Sequence, residues 1–354
     1  MCLLTQHTWS QTASLKETFK NDFLIGAALN PWQIQQKDTA ANRLVLQHFN
    51  AITPENSMKA THLHPEWSKY NFAIADELVA YGQQHKIKIN GHTLIWHSQL
   101  PDYVKNITSA DSLRQYLKEH ITTIAGRYKG KVFSWDVVNE ALEGDGSLRK
   151  SIFRKLLGDD YIIEAFRLAQ QAAPDAELYY NDHNMEGITK RRAAIALIKK
   201  IQAAGVRIDG VGIQGHWSAG HVPLADIEES IQEFSALGIK VIFTELDLNV
   251  LPTPYRRDVV DISERLLPNT KETNPWPNGL PHSKQIELAK SYADLFRLFL
   301  KYKDKISRIT FWGVHDGQSW LNDFPIAGRV NYPLLFDRHY QPKPAFDSVI
   351  ATHH

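Results

Sequence analysis

A single cysteine, three methionines and the absence of any long apolar run set the first limits on this 354-residue chain. Cys2 alone can form neither an intrachain disulfide nor a cysteine-based zinc site, so it gives no vote on compartment. No stretch approaches the ~18 apolar residues of a membrane span, and no membrane partner is expected. Charge of one sign is missing too. Lys and Arg number 40 against 39 Asp and Glu, a net +1 that supplies no field to select nucleic acid. Residues 1–20 lack the charged and apolar regions of a secretory leader. Two locations stay open: retention in the cytoplasm, or a secreted or periplasmic form whose leader has been removed.

What is present is a core. Hydrophobic residues make up 43% of the chain, with nine Trp and 13 Tyr whose flat faces would suit sugar rings if exposed in a cleft. Eight apolar, β-branched runs read as strands: Phe23–Leu29, Ala51–Glu55, Lys88–Trp96, Ser134–Glu140, Glu177–Asp182, Gly210–His216, Lys240–Asp247 and Ser307–Gly313. Helical periodicity fills the intervals: Thr39–His48, Ala75–His85, Ser112–Tyr128, Asp160–Ala173, Thr189–Ala204, Leu224–Leu237 and Ser283–Lys303, with a closing helix at Ala345–Ile350. Gly205, Gly238 and Pro174 are placed as helix stops. Strict alternation predicts an α/β fold, a single-domain (β/α)8 TIM barrel over 1–354 with its core at about 23–350. The stretch 249–281, rich in Pro, Asn and charge, is far longer than a usual loop and is expected as a wall or lid over the active-site face.

Catalytic groups of such barrels sit at the C-terminal strand ends. There the sequence places Glu55, Asn56 and nearby Lys59; His92, Trp96 and Gln99; Asn139 and Glu140; Asn181 and Asp182; Gln214 and His216; Glu245 and Asp247; and Trp312. Polar groups gathered at one end describe a wet, hydrogen-bonding pocket, since a barrel interior otherwise favours branched aliphatics. With carboxylates, amides and indoles but no phosphate cradle, it suits uncharged, hydroxyl-rich ligands. Glu140 and Glu245, delivered from separate strands, can divide the work of cleaving a glycosidic bond. Asp247, two residues past Glu245, shares its side of the strand.

At these residues the chain resembles the endo-β-1,4-xylanases of glycoside hydrolase family 10, from about Phe23 to Phe346. The motifs are TPENSMK at 53–59, GHTLIWHSQLP at 91–101, WDVVNEAL at 135–142, YYND at 179–182, IQGHW at 213–217, TELDL at 244–248 and TFWGVHDGQSWL at 310–321. The resemblance implies Glu140 as general acid and base and Glu245 as nucleophile. Asn139 would bond the sugar 2-hydroxyl, and His216, held by Asp247, would orient Glu245. Glu55, Asn56, Lys59, His92, Trp96, Gln99, Gln214, Trp312 and Trp320 would line the glycone subsites, with Tyr180 and Asn181 nearer the leaving-group side. It also implies a cis peptide at His92–Thr93. Two departures stand out, Tyr103 where the family often has Trp and His183 where Tyr or Phe is frequent. They bear on substrate preference rather than on reaction class.

The expected substrate is therefore xylan or xylo-oligosaccharides, cleaved internally with retention by double displacement, with no cofactor and no metal. A proton on Glu140 would be favoured by burial and by the nearby charge of Glu245. The alternative enzyme is a related barrel glycosidase acting mainly on short xylo-oligosaccharides or β-glucan; a non-catalytic carbohydrate binder would not need both glutamates, Asn139 and His216. Other signals are weaker. GVGIQG at 210–215 fits the dinucleotide pattern, but its glycines fall inside a strand. His62 and His64 resemble the paired histidines of metal-dependent barrel hydrolases, yet follow the second strand and lack later ligands. The sequon Asn106-Ile107-Thr108 matters only in a glycosylating pathway. Oligomeric state is not legible.

Overall fold

The computed structural model describes residues 13–252 and 268–353; Cys2 and the middle of the expected loop, 253–267, lie outside the described residues. The strands are β1 (Leu24–Leu29), β2 (Ala51–Pro54), β3 (Lys88–Trp96), β4 (Ser134–Asn139), β5 (Glu177–Asp182), β6 (Gly210–Ile213), β7 (His216–Ser218), β8 (Lys240–Asn249) and β9 (Ile306–Phe311). All pairings between these strands are parallel. Neighbours run from β1 through β6, then β6 to β8, β8 to β9, and β9 back to β1, which closes an eight-strand barrel.

The helices between strands start and stop where local chemistry directs. Asp38 accepts from Ala41 N at 3.0 Å to open Thr39–His48, and Ser109 accepts from Ser112 N to open Ala110–Arg127. Gly205 and Gly238, at φ 67° and 76°, take the left-handed conformation that ends Ile188–Ala203 and the segment after Leu224–Ser235. Five short helices, Leu15–Thr18, Pro31–Ile34, Ala60–Leu63, Asp102–Lys105 and Ile152–Leu157, were not expected, because one or two turns cannot display a 3.6-residue period.

Two of the strand ends that differ from expectation shape the site. The sixth strand does not run through His216. Gly215, at φ 83°, breaks it after Ile213, and His216 begins the short β7, paired with Asp247 of β8. β4 stops at Asn139 because Glu140 itself adopts φ 54°, a left-handed turn that a non-glycine residue adopts only when its surroundings hold it.

The barrel floor is more polar than the aliphatic layers expected of such folds. Arg308, buried on β9, donates to Ser134 Oγ at 2.7 Å and Asn90 Oδ1 at 2.9 Å. Asn90 in turn donates to Asp136 Oδ2 at 3.0 Å. GVGIQG is wall, not a phosphate turn. A Cβ on Gly212 would stand 2.4 Å from Asn181 Oδ1, so glycine there makes room for the side chain of the adjacent strand. On the opposite rim the flanks of the long segment are tied to residues 328–330, Asn269 Nδ2 donating to Gly328 O at 2.6 Å and Asn274 Oδ1 accepting from Val330 N at 3.1 Å.

Candidate active site

Glu140 and Glu245 face one pocket at the C-terminal ends of β4 and β8, in different company. Glu140 Oε2 accepts from Trp96 Nε1 and Oε1 from Gln214 Nε2, both at 2.9 Å. Its backbone is clamped as well, N donating to Asn181 O at 2.9 Å and O accepting from Arg149 Nε at 3.0 Å. These four bonds hold the turn that aims the carboxylate.

Glu245, 6% exposed, accepts from Asn181 Nδ2 at 2.9 Å on Oε1, and its Oε2 lies 3.3 Å from His216 Nε2. The other nitrogen of His216 is 3.0 Å from Asp247 Oδ1, while Asp247 Oδ2 accepts from Trp320 Nε1 at 2.7 Å. His216 thus stands between two carboxylates. Burial pushes its pKa down, but Asp247 and Glu245 outweigh that and raise it to about 9. An imidazolium therefore complements the Glu245 carboxylate at neutral pH.

That shift carries a stability consequence. An unperturbed imidazole titrates near 6.5 in the unfolded chain, so the folded protein binds this proton more tightly. The contribution is complete below pH 6.5 and is lost as pH rises through about 9. It amounts to about 3 kcal/mol. Denaturant unfolding at pH 6 and pH 10 should show this difference in the wild type and not in His216→Gln; identical pH dependence in the two proteins would count against the charged imidazole.

An amide relay joins the two carboxylates. Asn181 Nδ2 bonds both Glu245 and Asn139, at 2.9 Å each, and Gln214 Nε2 reaches Asn139 Oδ1 at 3.4 Å while bonding Glu140. Asn139 stays in contact with Asn181 whichever way its amide is turned. Thr244 Oγ1 donates to Asn181 Oδ1 at 2.6 Å and fixes that amide's direction. The sequence reading passed over Thr244, although its place beside Glu245 in TELD was a usable signal.

On the adjoining wall Lys59 is buried, its Nζ donating to Asn56 Oδ1 at 2.8 Å and lying 4.8 Å from the Trp96 ring centroid. Burial lowers its pKa although Glu245, Glu55 and Glu140 pull the other way. Glu55 is raised by burial, against the effects of Lys59 and Asn56. His92 Nδ1 lies 2.9 Å from Asp136 Oδ2 and its ring meets Trp312 edge-on at 5.4 Å. Its peptide bond to Thr93 is cis. Gln99 turns at φ 47°, and its carbonyl accepts from Thr61 N. Trp320 packs 4.9 Å from the His216 ring.

Three expectations need correction. Tyr180 does not face the cleft: it is wholly buried, its hydroxyl donating to Asp182 Oδ2 at 2.5 Å and accepting from Ala141 N at 3.2 Å. Strand alternation explains this, since Tyr180 and Asp182 share the outer face of β5 while Asn181 projects inward. Asn181 is also fully buried and engages Glu245 and Asn139, so it holds the carboxylate instead of reaching toward a leaving group. Finally, Glu140 is not shifted upward. Burial does push its pKa up, but the charges of His183 and His97 and the bonds from Gln214 and Trp96 prevail and lower it to about 2.

His64 belongs elsewhere. It stacks on Tyr70 at 4.0 Å and bonds Trp67 O and His120 within an aromatic cluster, and no group of three His, Cys, Asp or Glu among the described residues could hold a metal.

A closed (β/α)8 barrel carrying two buried, separately supported glutamates at its C-terminal face defines a barrel glycoside hydrolase. The profile described as Glycosyl hydrolase family 10 matches residues 14–352, and the chain belongs to that family. It is 43% identical over 346 residues to endo-1,4-beta-xylanase A of Xylanibacter ruminicola, covering 96% of this chain and 93% of that protein. To the endo-1,4-beta-xylanase of Geobacillus stearothermophilus it is 38% identical over 351 residues, with 96% and 99% covered. A solved structure of a GH10 endoxylanase retrieved from sugarcane soil metagenome superposes with TM-score 0.91 at 41% identity, covering 96% of this chain and 99% of the other.

Proposed function

We propose that this cleft hydrolyses β-1,4-xylosidic bonds within xylan chains, with retention of anomeric configuration by double displacement, Glu245 acting as nucleophile and Glu140 as acid and base. The observation that carries the assignment is the unequal support of the two carboxylates. Glu245 is caged by His216 and Asn181, partners that fix its direction and complement its charge. Glu140 is held by two neutral N–H donors on a turn whose carboxyl can exchange a proton with a bound oxygen.

In the first step a Glu245 oxygen attacks the anomeric carbon, the glycosidic C–O bond breaks, and the Glu140 proton passes to the departing oxygen. In the second, water adds to the same carbon from the opposite side. Its proton goes to Glu140, and the ester bond to Glu245 breaks. Between the steps esterification removes one negative charge from the pocket, which favours the ionised Glu140 that must then serve as base. Asn139, tied to Asn181, is set to meet the hydroxyl next to the reacting carbon. Glu55, Asn56 and Lys59 supply a charged, hydrogen-bonding wall for sugar hydroxyls on the glycone side.

Purified protein incubated with soluble xylan, and in parallel with a cellulose derivative, both with chelator, should release mixed xylo-oligosaccharides from xylan alone. Proton NMR of the earliest products should show the β-anomer before mutarotation. Early α-anomer would overturn the double displacement, and a single short product would overturn internal cleavage in favour of action on short chains.

A further inference from the structure

Trp32 is the most exposed large apolar side chain among the described residues, with 59% of its surface in solvent. Exposed indole surface forgoes the stabilisation that burial would give, and what distinguishes Trp32 is the rigid element that holds it at the mouth of the cleft. The element is the one-turn helix Pro31–Ile34, which begins two residues past the end of β1 and so stands on the face that carries the carboxylates.

This turn is firmly held. Asn30 and Gln33 cap each other reciprocally, with Gln33 N to Asn30 Oδ1 at 3.0 Å and Asn30 N to Gln33 Oε1 at 3.1 Å, and Pro31 pre-sets the first helical residue. Gln33 is buried. Its carbonyl accepts from Asn42 Nδ2 at 3.0 Å and its Oε1 from Gln318 Nε2 at 3.0 Å. Gln318 lies two residues before Trp320, whose indole anchors Asp247. On the other side Glu55 N donates to Leu29 O at 2.9 Å. The turn therefore sits between the tip of β2, which bears Glu55, and the loop that bears Trp320, continuous with the glycone wall.

Lys37 Nζ lies over the ring, 5.1 Å from its centroid. With the ammonium over one face of the indole, the other face matches a xylosyl ring, whose C–H faces stack on an indole while its hydroxyls accept hydrogen bonds. An anionic or strongly apolar ligand would use only half of that chemistry.

We propose that Trp32, with Lys37, forms a distal glycone subsite that stacks a main-chain xylosyl residue beyond those held by Glu55, Asn56 and Lys59. The proposal rests on the xylanase reading above and adds a length requirement to it. Long oligosaccharides gain from this subsite and short ones cannot reach it.

The test compares kcat/KM for xylohexaose and xylotriose, with reducing-end-labelled xylohexaose to locate the cleaved bond. In Trp32→Ala the ratio of the two values should fall about tenfold, and cleavage of xylohexaose should move toward its non-reducing end. Trp32→Phe, which keeps a ring, should restore most of the ratio. A ratio equal to that of the wild type overturns the subsite, whether both values fall together, as a structural role predicts, or neither changes. Failure of the wild type to cleave either oligosaccharide would remove the xylanase reading itself, and this proposal with it.

Discussion

Glu245→Ala should lose about five orders of magnitude in kcat on xylan while keeping its fold, and azide should restore turnover as an α-xylosyl azide. The expectation follows from what remains after truncation. Asn181 and His216, which contact Glu245, and Asp247 behind His216 are each held by other partners: Asn181 bonds Asn139 and Thr244, His216 lies against Asp247, and Asp247 bonds Trp320. The cage therefore survives the loss of its occupant and leaves a small anion-sized space beside the imidazolium. An azide ion placed there attacks the β-linked anomeric carbon from the face that Glu245 would use. One displacement in place of two inverts the centre. A β-azide from this variant, or no rescue at any azide concentration, would transfer the nucleophile's role away from Glu245.

Much of this was legible in the sequence, for reasons that can be named. Glu140 and Glu245 each end a β-branched run, and eight such runs alternating with helical periods leave few architectures other than a closed parallel barrel. Helix stops at Gly205 and Gly238 were readable because glycine is the residue that tolerates their positive φ. Less was readable where one residue changes a direction. The pattern through Gly210–His216 is continuous in composition, yet Gly215 turns the backbone and lets His216 face Glu245 from a separate short strand. Tyr180 and Asn181 could not both have faced the pocket, because adjacent residues on a strand point to opposite sides. That rule alone separates them, and the inward member is Asn181. Arg308 was invisible as an interior residue, since its burial depends on partners from β3 and β4 that sequence separation hides.

Glu140→Gln should reduce kcat/KM on xylan by about 10²- to 10⁴-fold and leave it nearly unchanged on an aryl xylobioside with a good leaving group. Glutamine keeps an oxygen to accept from Trp96 or Gln214 but has no proton to give, so only substrates that need protonation suffer. Glu140 is held at about 2, which is the state of a base, and two effects work toward the acid form. Burial, reinforced by Lys190, lowers the pKa of His183, so near neutral pH that imidazole is uncharged and its pull on Glu140 is gone. A xylan chain bound against the carboxyl would add to the desolvation that already pushes upward. The second half-reaction supplies a separate check. With an activated substrate the variant forms its glycosyl-enzyme but lacks a base for water, so kcat falls although kcat/KM is spared. Azide, needing no base, should raise kcat and yield the β-azide, the opposite anomer to that from Glu245→Ala. Equal loss of kcat/KM on both substrate classes would show that Glu140 supports the site without transferring the proton.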